Sequence, residues 1–130
     1  ARTGEPSPTT GLLMAAARRD FFLTVQHGQF YQGKPVIGYD LPGFGDELCG
    51  LPYLPRLIAK ARAKLVGSMG DDIIYCCEND RRFFRDHGNI HPADFLRVVW
   101  AAGDSDPKVY DYVRQRTLSV SSAVPDNEQM

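Results

Sequence analysis

Two adjacent cysteines, Cys76 and Cys77, stand just ahead of Asp80, Arg81 and Arg82. The thiolate is the reactive form of cysteine, and a neighbouring cation or a helix N-terminus favours it. Arg81 or Arg82 at the start of a following helix would supply both, so the group holds the ingredients of a nucleophilic or redox site. The plainer reading is a small buried residue filling a tight corner, as most cysteines do. No histidine is placed by the sequence to act as the base. Asp80 and Arg82 have a plainer reading too: a carboxylate in the first turn of a helix is favourable in itself, and Arg82 can reach back to it or on to Asp86.

A second group is basic. The stretch LPRLIAKARAKLVG contains Arg56, Lys60, Arg62 and Lys64 and no acid. On a helix Arg56, Lys60 and Lys64, spaced by four, form one stripe beside the apolar face, with Arg62 off it. Such a stripe suits a small anion, a phosphate, or an acidic protein partner. Against this, Asp46, Glu47, Asp71, Asp72, Glu78 and Asp80 flank the helix in sequence and suffice to neutralise it in exposed pairs of about 0–1 kcal/mol each. Nucleic acid ranks lower, because the net charge is −1 and no stacking-aromatic motif accompanies the cations. No metal is expected: His87 and His91 are four apart, but Gly88 and Pro92 break the helix that would align them, and adjacent cysteines make no C-x-x-C pair. No cofactor is implied.

The elements that must position these groups fit in one domain of 130 residues with 43% hydrophobic and 24% charged residues, an ordinary globular composition. An odd number of cysteines with two adjacent is a poor disulfide framework, which favours a reducing compartment, cytoplasm or organelle interior. The apolar runs are too short for a bilayer span.

Residues 1–10 read as a tail. Residues 11–28 read as a helix with Leu13, Ala17, Phe21 and Val25 on its apolar stripe, stopped at Gly28. Residues 28–50 hold six Gly and two Pro, which forbids a long regular element. Phe30, Tyr31, Val36, Ile37, Tyr39 and Phe44 within it must lie on something, either the chain's own core or a partner. Pro55 opens the basic helix, whose Leu54, Leu57, Ile58, Ala61 and Leu65 face a core, and Gly67 ends it. DIIYC, β-branched and aromatic, reads as a short strand. Three further helices follow, ENDRRFFRDHG, HPADFLRVVWAAG and DSDPKVYDYVRQRT, with Phe83 and Phe84 as core anchors and Asp106 as a cap. Trp100 sits at the core edge or anchors an interface. Residues 118–130 read as a tail.

From about Tyr39 to Thr117 the chain resembles a bacterial family of unknown function, DUF5069. The resemblance rests on LPRLIAKARAKLVG, IIYCCENDRRFF, HGNIHPADFL and DPKVYDYV, in that order and spacing. Arg56, Lys60, Arg62, Ala63, Cys77, Asp80, Arg82 and Phe83 fall on the family's recurring positions, which selects Cys77 over Cys76. CEND departs from the more usual C-P-L-D, and the N-terminal arm is additional. The resemblance implies a small helical domain and carries no activity.

The expected architecture is mainly α with one short strand or hairpin. It divides into a tail, helix and arm over 1–38, a compact domain over 39–117 and a tail over 118–130. The leading expectation for function is a non-enzymatic accessory subunit of a larger assembly, docking on a protein partner through the basic helix and the arm. The alternatives are a small cysteine-dependent enzyme or redox protein using Cys77 with Asp80 and Arg82 on an anionic substrate, and a plain anion-binding module.

Overall fold

The computed structural model describes residues 7–128, with side chains to residue 119. Five helices and one hairpin surround a single core. Helix α1 (Pro8–Thr24) starts at Ser7, whose Oγ accepts from the Thr10 amide at 3.2 Å, with Pro8 in its first turn; proline suits that position because its missing N–H would be unpaired there anyway. Helix α1 therefore takes in part of the expected N-terminal tail; residues 1–6 lie outside the described residues. Its inward face is Met14, Ala17 and Phe21, while Leu13 and Val25 are 47% and 44% exposed. A step of four residues overshoots one turn of about 3.6, so a stripe drawn every four drifts off the buried face at both ends.

Helix α1 packs on α2 (Leu54–Val66) and α4 (Pro92–Ala102) and belongs to the same core as the compact domain. Phe21 meets the edge of Trp100 with ring centroids 5.3 Å apart, which places Trp100 at the α1–α4 seam. The arm that follows lies partly on the chain's own core. The Val36 amide donates to Ser68 O and the Gly70 amide to Val36 O, both at 2.7 Å, and Leu41 is buried. Phe30, Ile37, Tyr39 and Phe44 stay largely exposed.

The expected strand is found elsewhere. The hairpin is β1 (Glu47–Leu48) against β2 (Leu51–Pro52), antiparallel. Cys49 and Gly50 at its tip have φ of 54° and 84°, the pair of left-handed residues that a two-residue hairpin turn demands. DIIYC is not a strand. Ile73 and Tyr75 are buried, but the chain turns left-handed at Cys76, φ 72°. The Cys76 amide goes to a side-chain carboxylate rather than to a ladder. β-branched composition reports a half-buried extended segment, and a short segment of that kind needs no partner strand when side chains take its polar groups.

Helix α2 buries Leu54, Leu57, Ile58, Ala61 and Leu65 and ends at Gly67, as its pattern predicts. Helix α3 (Glu78–Asp86) buries Phe83 and Phe84. At Gly88, φ is 96° and an added Cβ would stand 2.7 Å from the Arg116 backbone, so only glycine lets α3 turn beneath α5. In α4 the His91 Nδ1 accepts from the Ala93 amide at 3.0 Å. Helix α5 (Asp106–Glu128) continues through most of the expected C-terminal tail. No glycine or proline follows Pro107 until Pro125, so nothing in the sequence stops it earlier. Residues 129–130 lie outside the described residues. No helix among the described residues is long and apolar enough to cross a membrane.

The Phe21–Trp100 contact gives the α1 docking its own probe, because Trp100 is the sole tryptophan. Phe21→Ala is expected to red-shift Trp100 emission and to lower stability by about 1–3 kcal/mol, less than full aromatic burial because Phe21 is only part-buried. Unchanged emission would mean that α1 does not rest on α4 in solution.

Candidate functional site

The site grows from one side chain. Asp80 stands at the third position of α3, where a carboxylate can reach back over the helix start. It is fully buried. Its Oδ2 accepts from the Cys76 amide at 2.8 Å, the Cys77 amide at 3.4 Å and Lys60 Nζ at 2.8 Å. Its Oδ1 accepts from the Tyr53 hydroxyl. Four donors thus converge on one carboxylate, the condition under which a buried charge is tolerated.

Lys60 comes from the middle of α2 and is 4% exposed. Its ammonium, held by Asp80, also lies 3.5 Å from Cys77 Sγ. The thiol sits at the N-cap of α3 and is part-exposed, so it faces a cation from below and a helix N-terminus alongside. Tyr53 enters from the residue before α2, with φ 77°. A left-handed tyrosine is a backbone outlier of about 1–3 kcal/mol, and Cys76 is a second one; such residues persist where their surroundings over-determine them. Both are tied to Asp80.

Above these groups lies a cavity of about 210 Å³ whose walls include Phe44, Tyr53, Arg56, Lys60, Cys77 and Asn79. The Arg56 guanidinium lies 4.2 Å from the centre of the Phe44 ring and donates to Pro42 O at 3.0 Å, while its Nε is buried without a partner. The arm therefore forms one wall of the cavity, held by Arg56. Asp72 adds the only carboxylate at the rim among the described lining residues, and it accepts from the Gly38 amide at 2.9 Å.

Burial pushes the Tyr53 hydroxyl pKa far above its usual value, and its hydrogen bond to Asp80 adds to this. Tyr53 is thus a fixed donor. The Cys76 thiol is fully buried, and burial raises its pKa to about 11, with Arg81 opposing and the charge of Asp80 adding. The two cysteines differ in access as alternation along a strand would have it, although no strand is present.

The structure separates the four cations of α2. Arg56 and Lys60 reach the Cys77 cavity. Arg62 is engaged by Asp106 at the start of α5, and Lys64 lies part-buried beside Arg18. They do not form one solvent-facing stripe. Arg82 is exposed, paired loosely with Glu78 at 3.8 Å, and does not line the cavity. Arg81 donates to Cys76 O at 2.7 Å and steadies the left-handed turn. His87 Nδ1 is bonded to Phe83 O and His91 caps α4, so the two imidazoles have separate tasks. Among the described residues no group of three or more His, Cys, Asp and Glu has the geometry to hold a metal ion.

Sequence reasoning missed Tyr53, and it named Phe44 only as an arm aromatic that must lie on something, without placing it at the site. Tyr53 had a signal: it precedes Lys60 by seven residues, which is two helical turns and one face. Phe44 had none, because its place depends on the path of an irregular arm.

The raised Cys76 pKa predicts an alkaline limb of stability. The folded state holds the thiol protonated, so its contribution is complete below about pH 9 and is lost as pH rises from about 9 to about 11. Cys76→Ala is expected to make stability fall less steeply than wild type over that window, with parallel curves at neutral pH. Parallel curves throughout would show that the thiol is not desolvated.

Neither a search of curated proteins nor one of solved structures returned a match. The family model described as a domain of unknown function, DUF5069, matches residues 45–124. That span is more than half of the chain and contains Tyr53, Arg56, Lys60, Cys77 and Asp80, with α1 and most of the arm outside it. The chain belongs to the DUF5069 family.

Proposed function

We propose that the chain is a small cysteine-dependent enzyme whose cavity binds an anionic molecule against Arg56 and Lys60 and presents it to Cys77. The observation that carries this reading is the placement of the Lys60 ammonium 3.5 Å from Cys77 Sγ by a fully buried carboxylate. A lysine needed only for solubility stays in water, and burying one is costly unless it is paired. Here the cation is aimed at a nucleophile and borders a cavity.

The chemistry follows from what the walls offer. Arg56 keeps a buried Nε without a partner and rests on Phe44, so it can take a carboxylate or phosphate while the ring covers an apolar body. As the thiolate, Cys77 can add to a carbonyl carbon of the bound molecule, with the C=O π pair moving to the oxygen. Lys60 stabilises negative charge on the sulfur or on the oxygen that develops. Among the described residues no histidine lines the cavity, so the arrangement suits thiol addition better than hydrolysis by a base-activated water. Docking on a protein through α2 has less support, because Lys60 is inside and Arg62 is engaged by Asp106.

Two alkylating reagents of similar size test this. Iodoacetate is anionic and iodoacetamide is neutral, and Cys49 is exposed and serves as an internal reference. The ratio of iodoacetate to iodoacetamide rates is expected to be at least about tenfold higher at Cys77 than at Cys49, as a nearby cation implies. In Arg56→Gln the ratio at Cys77 should fall toward that of Cys49. Equal ratios at the two cysteines would remove the anion site and leave docking as the better reading.

A further inference from the structure

A second pair of cations has no explanation in the Cys77 cavity. Arg18 of α1 and Lys64 of α2 line a separate recess of about 220 Å³ with Gly67 and Met69. Both are part-buried. Neither makes an ion pair or a hydrogen bond with any described residue, and the Arg18 Nε is buried without a partner. The other cations without a described partner, such as Arg19, Arg85, Lys108 and Arg114, are exposed and solvated. None of the described residues that line the recess is an acid; Asp20, the only acid in α1, is engaged by Arg97 at 2.9 Å, and α2 contains none.

Two like charges have been brought together and partly desolvated with no described residue paired to either. The C-terminal dipole of α2 favours a cation nearby, by about 0.3–1 kcal/mol. That accounts for one of them. It does not account for the second, nor for an unpartnered Nε, because Gln26 already takes the Val66 carbonyl at 2.9 Å and the Gly67 and Ser68 amides take that of Ala63. Burial lowers the Lys64 pKa, Arg18 lowers it further, and only the nearby Cys76 opposes.

We infer that Arg18 and Lys64 form a binding site for a small oxyanion, a phosphate or a carboxylate, between α1 and α2. The planar guanidinium offers two parallel N–H donors to such an ion, and the ammonium adds a point charge. The recess has the volume for the head of a small phosphate ester. It lies toward the C-terminal end of α2, past Lys60, and stands independently of the reading proposed for Cys77. It would also tie α1, which is outside the family match, to a helix inside it.

The experiment is an NMR titration of the Lys64 ε-methylene in the full chain, with inorganic phosphate, acetate or chloride at matched ionic strength. Phosphate or acetate is expected to raise the Lys64 pKa by about one unit, which corresponds to about tenfold tighter binding to the charged lysine. The oxyanion that gives the larger shift identifies the ligand class. Chloride should move it much less. In Arg18→Gln the Lys64 pKa should start higher, relieved of a like charge, and respond to phosphate no more than to chloride. Equal shifts with all three anions would mean simple screening and would overturn the site, as would an undiminished phosphate response in Arg18→Gln. Either result leaves the alkylation behaviour of Cys77 untouched, so the two readings stand or fall separately.

Discussion

The Asp80 carboxylate is the constraint on which the rest of the site depends. It is fully buried and accepts from a lysine, a tyrosine and two backbone amides. The donors come from three places: the middle of α2, the entry to α2, and the turn into α3. One group therefore fixes three segments. It also stabilises two left-handed residues, Tyr53 and Cys76, each unfavourable by about 1–3 kcal/mol on its own. An apolar residue at position 80 would remove the reason for both distortions.

That arrangement links stability and the geometry of the cavity through the same atoms. The pair Lys60–Asp80 is weak evidence of a stability gain, since an apolar pair of similar volume often serves a core as well. What it provides is position. The ammonium is set against Cys77, the tyrosine is locked as a donor, and the left-handed turn at Cys76 sends one cysteine inward and leaves the other at the cavity. Arg56 then uses the arm, through Pro42 and Phe44, to close the remaining wall. In the proposed reading, Asp80 is a positioning residue and Cys77 the reacting one.

Much of the frame was legible in the sequence. The apolar spacing of α2, the stop at Gly67, Pro92 in the first turn of α4 and the paired phenylalanines of α3 all have local causes that act within a turn or two. The family match agrees with the motifs that carried the resemblance, extending from residue 45 to 124. The site was less legible. Cys77 and Asp80 could be singled out, but Lys60 read as one of a set of cations because Arg56, Arg62 and Lys64 share its helix. Its burial depends on a carboxylate twenty residues away, and no local pattern reports such a pair. DIIYC failed for a related reason: a strand-like composition was overridden by a side chain that took the backbone amide. Arg82 looked suitable from its distance to Cys77 in sequence, yet the start of α3 turns it to solvent.

The most direct measurement is urea unfolding of Asp80→Asn. The substitution keeps the shape, replaces one acceptor by a donor, and leaves the Lys60 ammonium buried without a counter-charge. If Asp80 organises the site, stability falls by about 3–5 kcal/mol, the range for breaking a buried pair from one side. A loss below about 1 kcal/mol, the range for an exposed pair, would contradict the account, because Lys60 and Asp80 would then be separate groups in water and nothing would hold the cation against Cys77.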